Sequence, residues 1–328
     1  MKLTLAPMEG VVDFQMRKLL TKLGGYDLCV TEFVRVVDIT LSRRKFFRTC
    51  PELANGGFTD SGTPVRVQLL GQEPSVLAAN ARKAIMLGSH GIDLNFGCPA
   101  KAVNKSRGGA VLLQDPQQMF NIISAVRDAV PSEQVVSAKI RLGYDDDSNS
   151  SEIVDAVQQA GASALVIHAR TKRDGYNPPA YWEKIPALKQ RMSIPVTANG
   201  EIWSVADALL CQTRSGCDSL MLGRGALAMP DLAAQIRAHV EGRAYQPISW
   251  LDIVNDIVES AGNLAQEHSE FYFSSRLKQW LVFLKRQYPQ AQRVFNCIRT
   301  LHDKQQVLSV LYSELNSAGV DSNHNDFA

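Results

Sequence analysis

One thiol stands where a strand gives way to a basic loop. In GIDLNFGCPAKAVNKSRGGA (Gly91–Ala110) the buried-strand pattern of Ile92, Leu94 and Phe96 runs into Cys98, flanked by Gly97 and Pro99. Lys101, Lys105 and Arg107 follow on the same loop. A thiol so placed can act as a nucleophile or as a proton donor, with cations beside it for an anionic partner. Lys139 is a second candidate, an amine inside the otherwise apolar VVSAKIRLG; it could form a Schiff base or donate to an electron-rich ring. His168 lies near the end of ALVIHAR; a lone histidine is often a satisfied core residue, but its place at a strand end favours ligand contact. The pair ANGE (Ala198–Glu201) and LGRGAL (Leu222–Leu227) offers Gly200, Gly223 and Gly225 for close backbone approach and Arg224 for a fixed charge, a pattern suited to a phosphate.

These groups need a scaffold. Short β-rich runs recur from LTLAPM at Leu3 to SLMLGRG at Ser219, eight in all. Helix-like segments such as Ser75–Leu87, Pro116–Val130 and Ser151–Ala160 separate them. Apolar strands alternating with helices imply a parallel sheet with helices outside it, and eight units imply an α/β fold, the (β/α)8 TIM barrel. No GxGxxG follows the first strand, which weighs against a dinucleotide-binding open sheet. In a barrel the chemistry belongs at the C-terminal strand ends. Read in order, those ends carry Glu9, Arg35, Gln68, Asn95 with Cys98, Lys139 with Arg141, His168 with Arg170, Asn199 with Glu201, and Arg224. Eight polar ends are hard to attribute to solvation alone.

Beyond about residue 242 the period becomes helical, with Ile253, Ile257, Val258, Ala261 and Leu264 on one face. The expected organisation is a barrel over 1–242, a C-terminal all-helical domain over 243–317 and a flexible tail over 318–328. From Phe271 to His302 six basic residues (Arg276, Lys278, Lys285, Arg286, Arg293, Arg299) occur with no Asp or Glu, interleaved with Phe271, Tyr272, Phe273, Trp280, Phe283 and Tyr288. A solvated face normally mixes signs, so this asymmetry points to a nucleic-acid surface. Arg43, Arg44, Lys45 and Arg48 form a second basic cluster. The net charge of +2 excludes little. Six cysteines without a CxxC pair or zinc spacing argue against a structural metal. No apolar run reaches the roughly 20 residues of a membrane span, so a cytoplasmic protein is expected.

In order and spacing the sequence resembles the tRNA-dihydrouridine synthase family. The resemblance rests on APMEG (Ala6–Gly10), TEFV (Thr31–Val34), VQLLG (Val67–Gly71), DLNFGCP (Asp93–Pro99), GGA (Gly108–Ala110), KIRLG (Lys139–Gly143), IHAR (Ile167–Arg170), ANGEI (Ala198–Ile202) and GRGAL (Gly223–Leu227). TEFVRVV and SRLKQWL further resemble the C-type bacterial subfamily, which acts on uridine 16 of the D-loop. The family's asparagine-x-glycine-cysteine-proline motif has Phe96 at its variable place.

The resemblance implies FMN as cofactor, NADPH as electron donor and tRNA as substrate; a monomer is expected. It implies that Pro7, Met8 and Glu9 border the isoalloxazine ring and that Gln68 and Lys139 bond its polar edge. His168, Asn199, Gly200, Glu201, Gly223 and Arg224 would hold the ribityl chain and phosphate. Asn95 would meet the uracil, and Cys98 would protonate C5 as a general acid. Arg35, Tyr176, Arg276, Lys278, Phe283 and Arg299 are the expected tRNA contacts. Competing classes are a flavin barrel for a small molecule, an aldolase using Lys139, and a non-catalytic RNA-binding protein.

Overall fold

In a computed structural model, which describes residues 1–264 and 270–321, the chain forms a closed barrel of eight parallel strands in sequential order. They are β1 (Lys2–Leu5), β2 (Leu28–Arg35), β3 (Val65–Leu70), β4 (Ile92–Asn95), β5 (Val136–Arg141), β6 (Ala164–His168), β7 (Val196–Asn199) and β8 (Ser219–Leu222). β8 pairs with β1 to close the ring. The expected helices are present as Pro74–Met86, Pro116–Ala129 and Ser150–Gln159.

Strand alternation sorts the two faces. Ile92 and Leu94 on β4, and Val136, Ala138 and Ile140 on β5, join the core between sheet and helices. Their neighbours Asp93, Asn95, Ser137 and Lys139 therefore turn toward the barrel axis, where β3 adds Arg66 and Gln68. The interior is thus polar along β3–β5, a departure from uniformly apolar strands. From other strands Ala6, Val30, Val166 and Met221 pack together into an apolar patch.

Four helices follow the barrel: Trp250–Leu264, Glu270–Leu284, Pro289–Ile298 and Lys304–Asp321. Their buried side chains, among them Trp250, Leu281 and Leu311, belong to the same apolar cluster as the barrel's outer face. Polar ties add to this continuity. Trp280 Nε1 donates to the Leu227 carbonyl at 3.0 Å, and Lys22 Nζ pairs with Asp256 and Glu259 at 2.8 and 2.9 Å. The last helix runs past residue 317 to Asp321, while 322–328 of the expected tail lie outside the described residues, as do the side chains of Leu264 and Phe271. Among the described residues no helix is long and apolar enough to cross a membrane.

Candidate active site

A cleft of about 480 Å³ opens at the C-terminal end of the strands. Every residue expected to hold the cofactor lines it: Pro7, Met8, Glu9, Gln68, Lys139, His168, Asn199, Gly200, Glu201, Gly223 and Arg224. Asn95, Cys98, Tyr176 and Phe283 line it as well. Phe283 comes from the helical segment, so the cleft is completed by both parts of the chain. Arg35, Lys278, Arg299 and Arg276 lie off it.

The thiol is held through its backbone. Asn95 Oδ1 accepts from the N–H groups of Gly97 and Cys98 at 3.0 and 2.9 Å. The Cys98 carbonyl accepts from Asn104 Nδ2 at 2.9 Å and from the Ala110 N–H at 3.1 Å. Arg141 Nε adds a bond to the Gly97 carbonyl at 2.8 Å. Gly109 is required here: at φ +67 a Cβ would stand 2.9 Å from the Cys98 carbonyl oxygen. Burial pushes the half-buried Cys98 thiol above its ordinary pKa, which keeps the proton on sulfur at neutral pH. Cys29, Cys50, Cys211 and Cys217 are buried, and Cys297 is exposed.

Across the cleft, Lys139 Nζ donates to Asn199 Oδ1 at 3.0 Å, and Asn199 Nδ2 donates to the Met221 carbonyl at 2.8 Å. Burial, helped by the Arg141 charge, lowers the Lys139 pKa to about 8. The same causes in the same order hold His168 well below its ordinary value, so its ring is neutral. Between about pH 8 and 10.5 the unfolded chain carries the Lys139 proton and the folded protein does not. The lysine's contribution to stability therefore rises with pH through that window, by up to about 1.4 kcal/mol per pH unit. Lys139→Met is expected to lose this rise relative to wild type and to be the more stable protein below pH 8. Parallel pH–stability curves for the two proteins in denaturant melts would refute the shift.

The phosphate-like corner is built around Glu201. Its backbone is left-handed at φ 55, a conformation that side-chain bonds must hold. Glu201 Oε2 accepts from the fully buried Arg170 and, at 3.3 Å, from Arg224, while Oε1 accepts from Trp203 Nε1 at 2.8 Å. Burial alone would raise this carboxyl, but the Arg170 and Trp203 bonds bring it below its usual range. Arg224 lies against the Tyr176 and Trp203 rings, 5.1 and 5.2 Å from their centroids, and Arg286 of the helical segment covers Trp203 at 4.0 Å. Gly200, at φ +117, leaves room for the His168 ring. His168 Nδ1 is buried with no hydrogen-bond partner within the protein, and Gly223 is open on the cleft side, with no atom closer than 3.9 Å to an added Cβ. An orphaned imidazole nitrogen, an open glycine backbone and a guanidinium facing one cleft suit a phosphorylated cofactor. Among the described residues no cluster of His, Cys, Asp or Glu is placed to hold a metal.

The basic stretch is less free than its sequence suggests. Arg276 donates to Val11 O at 2.6 Å and Asp13 Oδ2 at 2.8 Å, with a further bond to Gly10 O. Lys278 Nζ bonds Leu301 O, and Arg293 pairs with Glu314. The lack of acidic residues nearby in sequence is thus made good from elsewhere in the chain. Arg299 is exposed and makes no ion pair among the described residues; Arg35 is exposed and bonds Ser106 Oγ at 2.6 Å. Trp203 and Asp93 are parts of the site to which sequence assigned no role. Trp203 directly follows ANGEI, and Asp93 sits in DLNFGCP, so each had a visible neighbour but no visible contact.

Comparison with known proteins matches residues 4–316 to the family described as dihydrouridine synthase (Dus). A Shewanella oneidensis protein named tRNA-dihydrouridine(16) synthase is 52% identical over 311 residues, covering 95% of this chain and 97% of that one. Proteins of the same name from Haemophilus influenzae and Pseudomonas putida are 51% and 48% identical; each alignment covers 92% of this chain, with 96% and 94% of the relative. Among solved structures, histamine dehydrogenase from Rhizobium sp. 4-9 superposes with a TM-score of 0.56 at 14% identity, covering 96% of this chain and 62% of that one. A variant of NCR from Zymomonas mobilis gives 0.51 at 15% identity, covering 75% and 88%. At such identities the structural likeness shows the shared fold alone.

Proposed function

The chain belongs to the dihydrouridine synthase family, and from that premise we propose that it reduces the C5–C6 bond of uridine 16 in the D-loop of tRNA, with FMN as resident cofactor and NADPH as electron donor. The observation that carries this reading is the convergence of all eleven expected cofactor residues, Asn95 and Cys98 on one cleft at the strand ends. His168 Nδ1, Arg224 and the open backbone at Gly223 would hold the phosphate; Gln68 and Lys139 would bond the polar edge of the ring. Bound there, FMN would supply hydride chemistry for the reduction.

The chain itself supplies the proton. Cys98 Sγ, still protonated because it is half-buried, delivers it to C5. Asn95 keeps one amide hydrogen free to meet a uracil carbonyl, since its other donates to Gln68 Oε1 at 2.7 Å. The target base lies in folded RNA and must be splayed into the cleft, so binding energy has to come from phosphate contacts elsewhere. Tyr176 and Phe283 at the rim offer rings for the extruded base. Arg35 and Arg299 are the exposed candidates for phosphates, whereas Arg276 serves docking by fixing the helical domain on the barrel and Lys278 is tied within that domain to the Leu301 carbonyl. One copy of the chain carries both cleft and docking face, in keeping with a monomer acting on tRNA in the cytoplasm.

Arg299→Ala is expected to weaken tRNA binding and to reduce the slope of log affinity against log salt by about 1, because one phosphate contact releases about one counterion. Titrations at graded salt read this directly; an unchanged slope removes Arg299 from the contact surface. The function itself is tested by mapping dihydrouridine in tRNA from a strain lacking this gene, before and after complementation. Restoration at position 16 is the expected result. Restoration at position 20 overturns the choice of uridine, and no restoration overturns the reading.

A further inference from the structure

Below the cleft floor, an unbroken line of hydrogen bonds links a buried carboxylate to the Cys98 backbone. Asp93 is 1% exposed. Its Oδ1 accepts from Ser137 Oγ at 2.6 Å and its Oδ2 from Gln68 Nε2 at 2.7 Å. Gln68 Oε1 then accepts from Asn95 Nδ2 at 2.7 Å, and Asn95 Oδ1 accepts from the N–H groups of Gly97 and Cys98. Parallel register makes the line possible: Gln68 stands beside Asp93 across β3 and β4, and Asp93 beside Ser137 across β4 and β5.

The chemistry of the two ends gives the line a direction. A carboxylate only accepts and a backbone N–H only donates. Each amide between them can be turned either way by rotating about its last bond, with little change in shape. With Asp93 ionised, Gln68 must present its NH2 downward and its oxygen to Asn95. Asn95 must then present its oxygen to the Cys98 loop. Turning either amide would set oxygen against oxygen or NH2 against N–H in a buried place. Burial raises the Asp93 carboxyl above its ordinary pKa, and the Gln68 and Ser137 bonds, with the Arg66 charge, limit the rise.

We propose that Asp93 is a positioning residue: it fixes the orientation of the Gln68 and Asn95 amides in series and thereby clamps the backbone that carries the Cys98 thiol. The inference rests on the reading of Cys98 as the proton donor, but its geometry does not depend on which uridine is reduced.

The test reads the loop on the purified full-length protein. Iodoacetamide labelling is followed by mass spectrometry of the Cys98 peptide, with the exposed Cys297 as internal reference. Asp93→Asn keeps the shape but replaces a group that only accepts with an amide that can also donate, so the line is held in direction from the Cys98 end alone. It is expected to raise the Cys98 rate relative to Cys297 by about fivefold, the factor that loss of one net hydrogen bond corresponds to. The Asp93→Asn, Gln68→Glu double variant moves the carboxylate one link along. Asn at 93 then donates to Glu at 68, which still accepts from Asn95, so the loop is clamped again and the Cys98 rate should return to the wild-type value. A merely structural role for Asp93 would lower the melting temperature and leave the ratio of rates unchanged. That result, or a double variant that labels as fast as Asp93→Asn alone, overturns the proposal. These rates are read without tRNA, so failure to form dihydrouridine would count against the functional reading and not against the clamp.

Discussion

Cys98→Ala is expected to form dihydrouridine at least about 100-fold more slowly than wild type while keeping its flavin and its NADPH oxidation, because a positioned general acid contributes roughly 10²–10⁴ in rate. The side chain takes no part in the cofactor-binding corner around Glu201 and Arg224, and its removal leaves the backbone bonds from Asn95, Asn104 and Arg141 in place. The lesion is therefore confined to proton delivery. Because the thiol pKa is raised by burial, the active protonated form persists through neutral pH, and the rate should fall as pH rises through the thiol's titration. The loss of this descending limb in Cys98→Ala would mark the thiol as its source. Single-turnover assays on unmodified tRNA, run beside anaerobic flavin reduction by NADPH, separate the two half-reactions. Full activity in the alanine variant on such tRNA would sink the general-acid role.

The second large effect concerns retention of the cofactor. Arg224→Ala removes a guanidinium that is 30% exposed in its side chain, pinned between two aromatic rings and only loosely engaged by Glu201 at 3.3 Å. Glu201 is already paired with Arg170, so much of the Arg224 charge remains available to an incoming phosphate. Charge-assisted bonds to ionised groups contribute about 1.5–3 kcal/mol, so FMN affinity should drop roughly 10- to 100-fold. Fluorescence titration of the apoprotein measures this, as does flavin content after dialysis. Equal occupancy in Arg224→Ala and wild type would place the phosphate elsewhere in the cleft.

The sequence by itself determined the barrel, because its signals are local. Strand and helix periods repeat within a few residues, and polar groups at the ends of eight strands are brought to one face by closure of the sheet. For the same reason the cysteine loop was legible: Asn95, Gly97, Cys98 and Asn104 lie within ten residues of one another and bond among themselves.

Only the tertiary structure decided which charges are free. Arg276 looks like part of a bare cationic run until Asp13 and the Val11 carbonyl, more than 260 residues away, are set against it. Likewise Arg293 finds Glu314, and Arg286 finds Trp203. A long flexible cation takes whichever partner packing brings within reach, and nothing in its own segment states which. The Asp93–Gln68–Asn95 line is hidden for a related reason. Each member sits in a strand that reads as mostly apolar, and only parallel register across β3, β4 and β5 stacks their side chains into one file inside the barrel.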